Sequence, residues 1–113
     1  MDDCLFCRIV KKEIPAEICY EDDDILAFKD INPLAPVHIL VIPKEHIASL
    51  NDIKPEHIPL LGKISAVLRQ VAAQSGIDTA GYRMVYNVGP DGGQVVYHLH
   101  AHLLGGKKLG LGV

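Results

Sequence analysis

Near the C-terminus, His98, His100 and His102 alternate strictly with Leu99, Ala101 and Leu103. A period of two suits a β-strand, which sends successive side chains to opposite faces. Three imidazoles then share one face, and three apolar residues share the other. A helix would instead separate His100 from His98 and His102. Half of the chain's six histidines stand in these five positions. This stretch is therefore a candidate active site rather than a packing device.

The rest of the chain supplies partners for such a strand. Ile18-Cys19-Tyr20 and Ile25 to Phe28 are strand-like runs separated by the turn former Asp22-Asp23-Asp24. Asn32-Pro33 and Pro36 precede a third strand, His38 to Ile42, and Tyr82 to Val88 forms a fourth. His98 to Leu104 is the fifth. Between the third and fourth, Ile58, Leu61, Ile64, Leu68 and Val71 recur at helical spacing. Pro55 suits the helix start and Gly76 its stop. A second, short helix is expected around Phe6 to Val10. The 113 residues read as one domain (1–113) of the α+β class: an antiparallel five-stranded sheet with one principal helix and a short N-terminal helix.

Composition narrows the partners. A net charge of −3 gives no general field for nucleic acid, so a phosphate must be held by local donors. The acidic start, Met1-Asp2-Asp3, does not resemble a secretory signal. Ile39 to Ile42 ends at Pro43 and is too short to span a bilayer, so no membrane role is expected. Three cysteines, an odd number, point to a reducing cytoplasm rather than a disulfide framework.

The ends of a five-residue strand segment lie roughly 13 Å apart, so the three histidines cannot all ligate one ion, although an adjacent pair could. A division of labour follows: one reactive imidazole with a neighbour on either side. Neutral imidazole is a good nucleophile at pH 7, and attack on phosphorus gives a labile phosphoryl–histidine bond. His100, in the middle, is the expected nucleophile. Just upstream, Gly89-Pro90-Asp91-Gly92-Gly93-Gln94 is a turn whose backbone N–H groups can approach an anion. His57 reads as a solvent-side residue without a role. Cys4-Leu5-Phe6-Cys7 has the spacing of half a zinc site, the alternative being two reduced thiols.

His98-Leu99-His100-Ala101-His102-Leu103-Leu104 matches the His-x-His-x-His-x-x motif of the histidine triad family in full. The resemblance also covers Ala27 to Pro33, Ala35 to His46, Gly81 to Asn87 and Gly92 to Tyr97, nearly the whole chain. The Gly92-Gly93-Gln94 turn and Gly105-Gly106 look most like the Hint branch. That resemblance implies a homodimeric purine nucleoside phosphoramidase that releases an amine, such as a lysine side chain, from adenosine 5′-monophosphate (AMP). Dinucleoside polyphosphate hydrolysis, or nucleotide binding with vestigial catalysis, are the alternatives.

Carried over by position, the resemblance makes His100 the residue that is transiently adenylylated. His38, His98 and His102 assist, His102 also contacting the phosphate. Asn87, Gly93, Gln94 and Val95 would hold the phosphate, Asp30 the ribose, and Ile31 and Phe6 the base. Zinc-bearing relatives join a Cys-x-x-Cys pair to histidines equivalent to His46 and His98, which implies structural zinc on Cys4, Cys7, His46 and His98. Val95 stands where many Hint sequences have serine, which puts the preferred leaving group in question.

Overall fold

The structure is a computed structural model that describes residues 3–110; Met1 and Asp2 of the acidic start, and residues 111–113, lie outside them. A short helix α1 (Leu5–Val10) precedes strands β1 (Ile18–Glu21), β2 (Ile25–Lys29) and β3 (Val37–Pro43). The long helix α2 (Ile58–Gln74) then leads to β4 (Tyr82–Tyr86) and β5 (Ala101–Gly105). All neighbours pair antiparallel in the order β1-β2-β3-β5-β4. The expected fold class is the one observed.

Strand β3 explains the layering. Its residues from His38 to Pro43 are all buried, as expected of a strand covered on both faces. Ile39 and Val41 join the larger core with Ile64, Leu68 and Val71 of α2 and with Ala101 and Leu103 of β5. Leu40 and Ile42 face the other way, into a second core with Phe6 and Ile9 of α1 and with Leu26 and Phe28. The histidine row lies on this second side. Register puts His102 opposite Leu40, and His38 opposite Leu104.

Helix α2 follows its apolar period, burying Ile64, Val67, Leu68, Val71 and Ala72 while Ile58 stays exposed. Pro55 begins a tight turn, Pro55–His57, that runs directly into α2. The chain then reverses at Gly76, whose φ of 74° suits glycine, and Ile77 N–H donates to the Ala72 carbonyl.

Two strand boundaries differ from expectation by more than one residue. β4 ends at Tyr86, so Asn87 and Val88 belong to the following loop. β5 starts at Ala101 rather than His98. The ladder stops there because the preceding backbone groups are engaged elsewhere: Leu99 N–H donates to Ile47 O at 2.7 Å, and the His98 carbonyl accepts from the His100 ring at 2.7 Å. Side-chain alternation survives without the ladder, since Leu99 is buried in the α2-side core together with Ala101 and Leu103.

Gly105 fits because a Cβ there would lie 2.7 Å from Ile77 Cδ1, closer than packed atoms approach. Gly105→Ala is expected to lower the unfolding free energy by about 1–3 kcal/mol through overpacking. Urea denaturation checks this, and an unchanged midpoint would contradict it.

Candidate active site and metal cluster

Backbone groups decide which nitrogen of each histidine carries its proton. The His100 Nδ1 faces the carbonyl of His98 at 2.7 Å. A carbonyl only accepts, so Nδ1 is protonated and the lone pair of neutral His100 is on Nε2. That Nε2 has no protein partner, and among the described residues no buried side-chain nitrogen or oxygen lacks one. Nε2 is therefore open to solvent although the residue as a whole is only 7% exposed. Burial lowers the His100 pKa, which keeps the ring neutral and nucleophilic.

On one side of His100 stands a relay of two imidazoles. The Leu34 N–H donates to His38 Nδ1 at 3.1 Å, which leaves the His38 proton on Nε2. His38 Nε2 donates in turn to His102 Nδ1 at 2.9 Å, with Asp30 Oδ2 3.5 Å away. His102 must then carry its proton on Nε2, which has no hydrogen-bond partner among the described residues and is free to donate to an anion. Its ring centroid is 5.0 Å from that of His100. One lone pair and one N–H are thus presented side by side.

On the other side the same logic yields a ligand. His98 Nε2 donates to the Pro43 carbonyl at 2.8 Å, so its Nδ1 lone pair points at Cys4 Sγ (3.4 Å) and Cys7 Sγ (3.5 Å). His46 Nδ1 lies 3.3 Å from Cys7 Sγ. All four ligand atoms fall within 4.8 Å of one another, so Cys4, Cys7, His46 and His98 can hold a metal ion. Burial, then the Cys4 thiol, pushes Cys7 up to about 11, so it stays a thiol unless a cation takes the proton's place. Asp30, His38 and His102 are equally close together, but His38 offers a proton there rather than a lone pair. That cluster is a hydrogen-bond relay.

The loop between β4 and β5 is tied down from within. Asn87 Nδ2 donates to the Gly92 carbonyl at 2.8 Å. The Gln94 amide accepts from Gly89 N–H at 3.0 Å and donates to the carbonyls of Ala48 (2.8 Å) and Val96 (3.1 Å). Gln94 therefore shapes the loop, and its side chain has little left for a ligand. Gly93 takes a φ of 82°, and Val95 follows at 85% exposure. Asp30 Oδ1 accepts from Asn32 N–H at 2.8 Å, leaving Oδ2 toward His38.

The two apolar residues expected beside a base are placed differently from each other. Ile31 is 89% exposed on the β2–β3 loop, whereas Phe6 is 4% exposed and packs edge-on to His100, centroids 5.1 Å apart. His57 is buried rather than on the solvent side. Its Nδ1 accepts from Lys54 N–H and its Nε2 donates to Glu45 Oε2, both at 3.0 Å, which holds the approach to α2. Cys19 packs in part against the larger core. The Leu34 N–H and the Pro43 carbonyl were invisible beforehand, because backbone groups leave no mark in sequence.

The matching family, described as the scavenger mRNA decapping enzyme C-terminal binding family, spans residues 3–112. A HIT-like protein of Synechococcus elongatus is 56% identical over 108 residues, 96% of this chain and 94% of its own. With these and the triad in place, the assignment is direct. The chain belongs to the histidine triad family. A purine nucleoside phosphoramidase of Escherichia coli is 47% identical over 109 residues, 96% of this chain and 92% of its own. A histidine triad hydrolase structure from Legionella pneumophila superposes with a TM-score of 0.95 at 49% identity, covering 96% of this chain and 97% of that one.

The relay makes a pH prediction. Burial, with His100 and His38 adding to it, lowers His102 to about 4, and burial lowers His38 as well, Asp30 opposing in both cases. A histidine base with a depressed folded pKa leaves the unfolded chain binding more protons. Its stabilising contribution is therefore complete above the unfolded value near 6.5 and declines as pH falls toward 4. For His102 the loss is on the order of 2 kcal/mol once its partial exposure is allowed for. Denaturation midpoints across this range should fall less steeply in His102→Gln, and an identical slope would contradict the assignment.

Proposed function

We propose that the chain is a nucleotide hydrolase of the phosphoramidase type, acting on AMP joined to an amine. The observation that carries the reading is the pairing of a solvent-open His100 Nε2 lone pair with the adjacent His102 Nε2–H. It is supported by the activity named for the Escherichia coli relative.

In this reading His100 Nε2 attacks the phosphorus of the phosphoramidate. A P–N bond to His100 forms while the P–N bond to the substrate amine breaks. An amine with a conjugate-acid pKa of about 10.4 must gain a proton to leave, here taken from solvent water and returned when water hydrolyses the intermediate. His102 donates to a non-bridging phosphate oxygen, and the charge of His38 and His102 is kept neutral by burial until the substrate arrives. Of the N–H groups from Gly93 to Val95, those of Gly93 and Gln94 donate to the Pro90 and Gly89 carbonyls, which leaves Val95 N–H, without a partner among the described residues, for the same oxygens. Asp30 Oδ2 accepts from ribose hydroxyls and Ile31 lies toward the base, while Phe6, buried behind His100, acts on the substrate only through that ring. Water then cleaves the His100–phosphorus bond, releasing AMP and restoring the imidazole.

Zinc is the metal that best suits the four-ligand cluster. Tetrahedral bonds of about 2.3 Å to sulfur and 2.0–2.1 Å to nitrogen put sulfur and nitrogen about 3.5 Å apart, close to the 3.3–3.5 Å separations in the cluster. Bound there, zinc would supply a structural cross-link between the N-terminal segment and the triad, with no open position for substrate. The unpaired edge of β4, where Met84 is half exposed, supports a homodimer formed by sheet extension. Three free thiols suit the cytoplasm.

The test is turnover of an AMP phosphoramidate carrying a fluorescent amine. Native protein should release the amine, and His100→Ala should lose turnover on the order of 10³-fold or more while remaining folded. Retained turnover in that variant would overturn the reading. Zinc analysis of protein refolded with the metal should give one equivalent per chain, dropping sharply in Cys7→Ser. A stoichiometry insensitive to that change would place the metal elsewhere.

A further inference from the structure

The thiol cluster and the nucleophile share structural parts. Cys4 caps α1, its sulfur accepting from Cys7 N–H at 3.4 Å, so both cysteines belong to one capped turn. Between them, Phe6 points inward and meets three rings edge-on: His100 at 5.1 Å and 86°, Phe28 at 5.5 Å and 76°, and His98 at 5.9 Å and 67°. His98 contributes twice. Its ring turns Nδ1 toward the two sulfurs, and its carbonyl accepts the Nδ1–H of His100.

Three things hold the His100 ring: the His98 carbonyl, the Phe6 edge and the neighbouring His102 ring. The first belongs to a cluster residue, and the second to the residue directly between two cluster residues. We propose that metal occupancy of Cys4, Cys7, His46 and His98 orders the nucleophile, with Phe6 the positioning residue that carries the effect to His100. The metal then does more than stabilise the N-terminal segment. It fixes the turn that carries Phe6 and the backbone that accepts the His100 proton. Phe6 is a support under the reacting ring and not a group that performs chemistry. The catalytic meaning of this coupling rests on the phosphoramidase reading, whereas the coupling itself can be read without substrate.

Coupling between two sites is reciprocal, so whatever metal does for nucleotide binding, nucleotide must do for metal binding. Without metal, the Cys4–Cys7 turn is held by the packing of Phe6 and Ile9 and by sulfur hydrogen bonds, which are weak. The His98 carbonyl then has more freedom relative to the His100 ring.

The experiment is solvent exchange of the His100 Nδ1–H, followed by NMR on the full chain in three forms: zinc-loaded, chelator-stripped, and zinc-loaded Phe6→Leu. Backbone amides of Val41 and Leu103, inside the β3–β5 ladder, serve as references for global opening. Exchange of the ring proton should rise about ten-fold in the stripped protein and in Phe6→Leu, with the reference amides unchanged. Phe6→Leu keeps all four ligands and should retain one zinc. Equal ring exchange in all three forms, or a rise matched by the reference amides, would reduce the metal to a purely structural role and overturn the proposal. Should the stripped chain unfold, Phe6→Leu decides the part played by Phe6, and the effect of AMP on zinc affinity decides the part played by the metal.

A second arm measures zinc affinity by chelator competition with and without AMP. AMP should tighten zinc in the native protein and leave Phe6→Leu indifferent; an AMP effect that persists unchanged in Phe6→Leu would remove Phe6 from the path. Failure of AMP to bind any form would instead sink the phosphoramidase reading, while the ring-exchange result would still decide the coupling.

Discussion

The hydrogen bond from the His100 ring to the carbonyl of His98 is the constraint on which the site depends. It fixes the tautomer of the central histidine, directs its lone pair outward and removes a carbonyl from the sheet ladder. β5 consequently begins only at Ala101, and the two residues His98 and His100 stand just off the sheet where their rings can turn. Comparable backbone groups set the others: Leu34 N–H for His38, Pro43 carbonyl for His98. Side chains that can each adopt two neutral forms are thereby given one. The result is a row with three distinct presentations: a lone pair turned toward two thiols, a lone pair open to solvent, and an N–H donor.

The fold makes this economy possible because β3 is buried on both faces. Its α2 side supplies a conventional apolar core, while its α1 side provides the dry surroundings that hold the histidines neutral. The same strand supplies His38 and, at its end, the Pro43 carbonyl that orients His98. Packing and proton placement are therefore set by one element. A change in β3 that loosened the second core would reach the site through Leu40, which lies opposite His102.

Much of this was legible in the chain. The helical spacing of Ile64, Leu68 and Val71 and the alternation of Leu99, Ala101 and Leu103 mark buried faces, and those faces are where the periods put them. Chemical type was legible too, since three imidazoles at period two suggest a nucleophile with neighbours. The strand boundary at Ala101 was not legible, because it depends on the His98 carbonyl bonding a side chain. His57 escaped because its partners, Lys54 N–H and Glu45, form a local cap with no apolar period. Gln94 was expected at the phosphate through its backbone; that its side-chain amide closes the loop on itself and on Ala48 left no mark in the spacing. Cys4 and Cys7 announce themselves by spacing, but joining them to His46 and His98 needed the family resemblance first and the three-dimensional cluster afterwards.

The central claim is that backbone hydrogen bonds, relayed to His102 through His38, dictate the protonation of the row. Long-range proton–nitrogen NMR of the histidine rings at neutral pH reads it directly. The structure predicts that His100 is protonated at Nδ1 alone, and that His98, His38 and His102 are each protonated at Nε2 alone. A His100 protonated at Nε2, or a ring averaging between both forms, would contradict the account, because no lone pair would then be held ready for phosphorus.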